Sequence, residues 1–362
     1  MKEKNIIDSR AFQLVAPGEF EEITLQHTVK DNEVVVQPIM ASICHADLRY
    51  YTGQRRKEAL ERKLPMALLH EGIGLVIESE DKSFEEGQRV VIIPNIPERR
   101  LKDRIEVAND SFNKRNVADN YSQGSVFLGS GYDGIGQEHL VLPVENVIPI
   151  PDDVPNEIAV LTELTSVSLH AISHVSDCIN EGKVAVFGDG PVGYLTAAAL
   201  HHVYDIPKDN LLVFGAIKEK LEHFDFATTH LVQDYNFRAE KDVVVVIECT
   251  GGHFSENAIN QAINLIEPQG KITLMGVSEE RVPLNTRDVL EKGLTMYGTS
   301  RSTAKDFQTF MKALQNNDYQ RTLRKILPNQ HEVIRNVNDL REAMEETIEN
   351  KSWKKTVLRF DW

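Results

Sequence analysis

Three cysteines in 362 residues are too few for a disulfide framework, and they exclude a four-cysteine structural zinc lobe within one chain. Long apolar runs are missing too. The longest, such as residues 243–247, fall far short of the roughly 20 residues that a membrane-spanning helix needs. The opening segment, Met1-Lys2-Glu3-Lys4-Asn5, is charged and leads into no apolar stretch, so no secretory signal is expected. Cations are outnumbered: 40 Lys and Arg against 55 Asp and Glu leave a formal net charge of −15. Such a surface argues against a general nucleic-acid binder, whose affinity comes largely from neutralising phosphates. It leaves room for an anionic small molecule, because a few cations in a cleft act locally. The remaining composition is ordinary. With 41% hydrophobic and 26% charged residues, a disordered chain, a coiled coil and a collagen-like fibre are excluded. At roughly 100–200 residues per domain, the length predicts two domains or three. The expectation is a cytoplasmic, multi-domain protein with no membrane or nucleic-acid partner.

The first 150 residues or so are β-rich at 33–39, 73–77, 89–93 and 138–142. Gly53, Pro65, Gly72, Gly74, Gly87, Pro94 and Pro97 punctuate them, which predicts a β-barrel-like domain of short strands. Residues 98–125 are polar and charged and read as a solvated surface excursion. From about residue 156 the period changes. A helix or two over 157–176 leads into apolar runs at 184–187, 211–216, 242–249 and 271–277. Helical patterns at 194–204, 218–227 and 255–266 alternate with those runs, which predicts a parallel sheet. Helical stretches at 303–315 and 338–349 and a strand at 355–360 follow.

Gly188-Asp189-Gly190-Pro191-Val192-Gly193 fits G-x-G-x-x-G between a predicted strand and a predicted helix, the context that gives the pattern meaning. Gly188 allows the tight turn, Gly190 lets the backbone approach a pyrophosphate, and Gly193 lets helix and strand pack closely. Pro191 suits an early helical position, where no N–H is needed. The helix start offers unpaired N–H groups to phosphates. A dinucleotide is therefore the expected ligand of this loop, Val192 included. The second strand of the sheet ends in Val213-Phe214-Gly215-Ala216-Ile217-Lys218, with no carboxylate at its tip. NAD sites usually carry an acid there for the ribose 2′-hydroxyl. Small residues followed by Lys218 favour NADP(H) instead, although a lysine at a helix start is also commonly a solvated one.

Three separated segments offer metal donors: Cys44, His70-Glu71, and Glu163. A lone cysteine is more often a small core residue, and none of these segments is specific by itself. Catalytic zinc takes about three ligands from Cys, His and carboxylate and keeps one position open. Cys44 and His70 are good donors, and either Glu71 or Glu163 completes the set directly or through water. Asp47 is a plausible acceptor that orients His70.

Together these residues resemble the zinc-dependent medium-chain dehydrogenases, the alcohol and polyol dehydrogenase family, over nearly the whole chain. Cys44 with Asp47 resembles the first-ligand motif of the family, and His70-Glu71 followed by glycines resembles the second. The stretch Glu163-Leu164-Thr165-Ser166-Val167-Ser168-Leu169-His170-Ala171 is similar to the sorbitol dehydrogenase branch, where a glutamate replaces the third cysteine ligand. Glu248-Cys249-Thr250-Gly251-Gly252 and Leu274-Met275-Gly276-Val277 resemble strand ends of the cofactor domain, which adds Gly276 to the cofactor residues. The implied fold is α/β. A GroES-like β-barrel catalytic domain (1–157) is joined to a Rossmann doubly wound parallel-sheet domain (158–300), and the chain then returns to the catalytic domain (301–362). One catalytic zinc and no structural zinc are implied. Three features depart from the family. Leu69 stands where glycine usually precedes the histidine, and Ala46 where a Ser or Thr relays a proton. The charged 98–125 segment occupies the place of the structural lobe.

A narrower resemblance is to the ribulose-5-phosphate reductases. It rests on Arg49-Tyr50-Tyr51-Thr52-Gly53, Lys63-Leu64-Pro65-Met66, Phe187-Gly188-Asp189-Gly190, Val289-Leu290-Glu291-Lys292-Gly293-Leu294 and Ser300-Arg301-Ser302. It implies NADPH-dependent reduction of D-ribulose 5-phosphate to D-ribitol 5-phosphate. The product would be passed to a cytidylyltransferase for teichoic acid or capsule synthesis. Arg49, Arg55 and Arg56 closely follow the zinc cysteine, and an arginine fork suits a phosphate, although any one arginine is more commonly solvated. Arg49 is the first expectation for the phosphate, Tyr50 for a sugar hydroxyl, and Arg301 for cofactor or substrate. An NAD-dependent polyol dehydrogenase and a non-catalytic dinucleotide-binding protein are the alternatives. The family also implies a homo-oligomer.

Overall fold

The computed structural model describes residues 5–79, 81–101, 117–122, 124–349 and 353–362. Two compact units emerge. One comprises Met1–Glu163, Ser302–Gln315 and Leu327–Trp362, and the other Leu164–Arg301 and Asn316–Ile326. Among the described residues no helix is long and apolar enough to cross a membrane.

The first unit opens with a long antiparallel hairpin, Asn5–Ala16 on Glu19–Val29. These strands are longer than the short ones expected from the sequence. Only alternate residues of the second strand lean toward the core, so no continuous apolar run announces it. The next strand, Glu33–Ser42, is buried along almost its whole length. It pairs with three strands, Glu71–Ser79, Leu140–Pro143 and Val357–Phe360. This central strand and Glu71–Ser79 set the positions of residues 42–44 and 70–71. The core beneath them gathers Phe12, Leu14, Val34, Val36, Met66, Leu68, Val76 and Leu358. The 98–125 excursion lies partly outside the described residues, at 102–116 and 123. Its described ends are pinned rather than free. Arg99 pairs with Asp119 and Glu145 at 2.7 Å each, and Asn95–Ile96 pairs with Val126–Phe127.

The second unit is built on six parallel strands. Their spatial order is Thr228–Leu231, Leu211–Gly215, Lys183–Phe187, Val243–Glu248, Lys271–Leu274, Thr295–Gly298. Counted along the chain this is 3-2-1-4-5-6, with the order reversing beside Lys183–Phe187. Strands covered on both faces by helices read as continuous apolar runs, and Val184–Phe187 and Val243–Ile247 do so. Phe187, Phe214, Val246, Ile263 and Ile272 form part of the core. The helix expected over 218–227 is cut short at Lys218–Leu221. Phe224 and Phe226, two apart, both turn edge-on to Tyr194, at 5.0 and 5.6 Å. A period of two cannot continue a helix, and the strand Thr228–Leu231 follows.

Candidate functional site

Cys44 follows the central strand after one residue, Ile43, and caps the helix His45–Tyr51. Asp47, in the first turn of that helix, is fully buried and ties three residues together. Its Oδ2 accepts the Cys44 N–H at 2.9 Å, and its Oδ1 accepts the Leu69 N–H at 3.2 Å. Oδ1 also lies 3.4 Å from His70 Nδ1. That is too long and poorly aligned for a formed hydrogen bond, since His70 Nδ1 has no hydrogen-bond partner. The carboxylate nevertheless biases the ring, leaving Nε2 as the donor nitrogen. Burial alone would lower the His70 pKa, but the Asp47 charge, with Cys44 beside it, holds it well above the ordinary value.

Leu69 is the family departure noted above, and its φ is +74°. A side-chain-bearing residue pays about 1–2 kcal/mol in this left-handed region. The backbone shape that favours glycine is therefore kept, with a buried leucine in it. The Leu69 N–H bond to Asp47 helps to hold it there.

The donor atoms of Cys44, His70 and Glu71 lie within 4.8 Å of one another. Glu71 is 0% exposed. Its Oε2 accepts from Ser42 and from Lys355 Nζ, the latter at 2.6 Å, and Lys355 also donates to the Ile43 carbonyl at 2.8 Å. Its other oxygen, Oε1, is buried without a hydrogen-bond partner. A buried polar atom without a partner is costly, and here it sits beside a thiol and an imidazole. One sulfur, one nitrogen and one oxygen donor in a buried cluster suit zinc, so the residues present fit the ion. Burial, reinforced by the Glu71 charge, raises the pKa of the Cys44 thiol. A bound cation is what would make it a thiolate. Burial also works against the Lys355 ammonium, but Glu71 and Cys44 outweigh it and hold its pKa above the ordinary value.

Glu163, in the first turn of the helix Thr162–Ser173, is buried as well. Burial pushes its carboxyl up to about 7, with Glu71 adding to the rise and His70 and Lys355 opposing it. It is not among the three donors gathered within 4.8 Å. Ala46 carries no hydroxyl, as the sequence already showed. Lys355, Ser42 and Phe127, whose ring lies 5.3 Å from His70, went unnoticed in the sequence. No local pattern links Lys355 to a site formed more than 280 residues earlier.

In the second unit the glycine loop lies where the strand order reverses. Gly190 caps the helix Pro191–His202, with Pro191 at its first position and Val192 in its first turn. A Cβ on Gly193 would lie 2.0 Å from the Gly188 carbonyl oxygen, so only glycine allows this approach. The second strand carries no acid of its own at its tip, but one arrives from elsewhere. Asp189, from the glycine loop, reaches that tip, and its Oδ2 accepts the Ala216 and Ile217 N–H groups at 2.8 Å each. Its charge is thus spent on two backbone amides. Lys218 opens the following short helix and is exposed. The Gly276 N–H donates at 3.2 Å to Glu248, a fully buried residue at the end of Val243–Glu248.

The substrate candidates fall in both units. Arg49, half-buried, and Tyr50, buried, lie in the last turns of His45–Tyr51. Arg301, with φ +61°, ends the Leu164–Arg301 segment of the second unit.

Comparison with known proteins adds the following. An alcohol dehydrogenase GroES-like domain matches residues 30–152, and a zinc-binding dehydrogenase domain matches 218–316. Ribulose-5-phosphate reductase 1 of Staphylococcus aureus is 40% identical over 359 residues, covering 97% of this chain and 99% of that protein. Ribulose-5-phosphate reductase of Bacillus spizizenii is 35% identical over 360 residues, covering 98% and 99%. The crystal structure of S. aureus TarJ in complex with NADPH superposes with a TM-score of 0.82 at 36% identity, over 98% of this chain and 100% of that one. The expected pairing of a GroES-like domain with a Rossmann-type parallel sheet is borne out.

Proposed function

The chain belongs to the zinc-binding alcohol dehydrogenase family, and on that premise we propose that it reduces D-ribulose 5-phosphate to D-ribitol 5-phosphate with NADPH. One observation carries the reading: near full-length identity of 35–40% to ribulose-5-phosphate reductases, in a chain that keeps Cys44, His70 and Glu71 together.

The first unit, which includes Glu163, carries the metal chemistry, and the second unit the coenzyme. Cys44, His70 and Glu71 hold one zinc ion, with Glu163 as the further carboxylate, direct or through water. Zinc held there would supply a Lewis acid for the substrate carbonyl, and bound NADPH would supply a hydride. Asp47 keeps the His70 ring in place, and Lys355 with Ser42 keeps Glu71 Oε2 occupied, so that Oε1 would be the oxygen left for the ion. The backbone from Gly188 to Gly193, with Pro191 and Val192, holds the pyrophosphate. Lys218 faces the 2′-phosphate, and Gly276 lines the coenzyme. Arg49, Tyr50 and Arg301 bind the sugar phosphate. With alanine at 46, the proton for the new hydroxyl passes through water or the Glu163 carboxyl. The enzyme works in the cytoplasm as a homo-oligomer. It supplies a ribitol-phosphate cytidylyltransferase for teichoic acid or capsule synthesis.

The test is NADPH consumption with D-ribulose 5-phosphate beside unphosphorylated D-ribulose, with the zinc content measured on the same sample. Fast turnover of the phosphate by zinc-loaded protein is expected. Turnover of neither ketose by zinc-loaded protein that binds NADPH would overturn the substrate. A preference for NAD+ and unphosphorylated polyols would move the chain to the polyol dehydrogenases.

A further inference from the structure

We propose that Lys63 and Ser130, gathered with Arg55 around Tyr50, form the subsite that takes the phosphate group of the substrate. This inference rests on the reading of the substrate as a phosphorylated ketose. It gives the selectivity to residues that neither the zinc motif nor the coenzyme motif contains.

Lys63 Nζ donates to the Tyr50 hydroxyl at 2.9 Å and to Ser130 Oγ at 2.8 Å, and those two oxygens lie 3.1 Å apart. The Arg55 guanidinium sits 4.7 Å from the centre of the Tyr50 ring. Two cations thus converge on one buried tyrosine in a chain of net charge −15. Among the described residues, no carboxylate pairs with the Lys63 ammonium, which is half-buried and bonded to two neutral hydroxyls. An ammonium has three donors, and two are used. Each hydroxyl accepts from Lys63 and one proton is shared between them, so the other hydroxyl proton is not used within the cluster. One ammonium proton and one hydroxyl proton, beside the positive charge of the Arg55 guanidinium, suit a phosphate dianion. The Tyr50 hydroxyl agrees with this environment. Burial would raise its pKa, yet hydrogen bonds from Lys63 and Ser130 and the nearby Arg55 charge bring it below the ordinary value.

The cluster is tied to the metal centre through both of its supports. Tyr50 is on the helix that Cys44 caps, and six residues of helix span about 9 Å. Ser130 follows Phe127, which packs on His70. The same loop is bonded to the strand residues just before His70. Gly134 N–H donates to the Ala67 carbonyl at 2.8 Å, and Ile135 N–H to the Leu69 carbonyl at 2.8 Å. From C2 to phosphorus a pentulose 5-phosphate spans five bonds, about 6 Å. With a ligand contact at each end, that length is on the scale of the helix that links Cys44 to Tyr50.

The experiment compares binding of D-ribitol 5-phosphate with that of unphosphorylated ribitol by calorimetry, in wild type, Lys63→Met, Lys63→Arg and Ser130→Ala. The KM for D-ribulose 5-phosphate is measured alongside. Wild type is expected to prefer the phosphate. Lys63→Met lowers that preference about tenfold or more, the scale of a hydrogen bond to a charged group. Its KM rises far more than its kcat falls, Lys63→Arg recovers part of the loss, and Ser130→Ala loses a smaller part. Should Lys63→Met fail to fold, Ser130→Ala decides. An unchanged preference in folded, zinc-loaded variants overturns the subsite, as does a wild type with no preference. Phosphate preference that falls with Lys63 in a protein that turns over no ketose would sustain the subsite and sink the reductase reading.

Discussion

Lys355 is the residue whose loss the structure makes easiest to price. Its ammonium lies 2.6 Å from Glu71 Oε2 and 2.8 Å from the Ile43 carbonyl, and the two residues are 6% and 0% exposed. Lys355→Met keeps most of the length of the side chain and removes the charge. Glu71 is then left buried with Ser42 alone, and breaking a buried pair from one side costs about 3–5 kcal/mol. Set against a whole-domain stability of roughly 5–15 kcal/mol, that is a large fraction. The assay is urea unfolding in the presence of a chelator, so that metal binding does not enter. The chain has two tryptophans, Trp353 and Trp362, and both belong to the first unit. Trp362 stacks on Phe12 and Phe360 at 5.4 and 4.7 Å, so intrinsic fluorescence reports that unit. The double variant with Glu71→Gln is expected to be less damaged than the sum of the singles, because it leaves no unpaired charge. A Lys355→Met protein that unfolds at the wild-type urea midpoint would refute the reasoning.

Gly193→Ala would place a Cβ 2.0 Å from the Gly188 oxygen. Fluorescence titration should show loss of NADPH binding while the zinc content stays at the wild-type level, and retained affinity would contradict the close approach. Asp189→Ala frees the N–H groups of Ala216 and Ile217, each bonded to it at 2.8 Å. The Kd for NADPH is expected to rise severalfold, since these hydrogen bonds are exposed and are worth about 1 kcal/mol. Equal Kd values would show that the turn holds itself. Burial, helped by the neighbouring His201, pulls the His202 pKa down to about 4, while its Nε2 contacts Thr322 at 2.8 Å and its ring stacks on Tyr319 at 4.9 Å. The unfolded chain, with a histidine near 6.5, binds the proton first. Stability is therefore complete above about 6.5 and is lost as the pH falls through 4. His202→Gln should flatten the fall of Tm over that window, and parallel curves would exclude the residue as its source.

The parallel sheet was legible in the sequence because its central strands are covered on both faces and announce themselves as apolar runs. The opening hairpin was not, because Glu21, Thr24 and Gln26 alternate with its inward residues. Among the site residues, Cys44 and Asp47 are three apart, and His70 and Glu71 are adjacent. Their chemistry is readable within a few residues of chain. Lys355 has no such neighbours and enters only through the pairing of Val357–Phe360 with the central strand. The role of Asp189 is not legible locally for a related reason. The acid at the tip of one strand comes from the loop after the strand beside it. At Leu69 the residue differs from the family pattern, while the backbone, at φ +74°, keeps the conformation that a glycine would adopt.

The central strand also sets an order in time. Cys44 and His70 leave the ribosome early, whereas Lys355 lies 312 residues after Ile43, the residue whose carbonyl it binds. At about 5–20 residues per second, the wait is about 15–60 s. Through that interval the nascent strand Glu33–Ser42 has an open edge where Val357–Phe360 will pair, and Glu71 has no ammonium beside it. The whole parallel-sheet unit is translated meanwhile. Completion of the ligand cage is thus a late event in biosynthesis, and a chain stalled after the coenzyme domain would carry the ligands without the lysine that holds one of them in place.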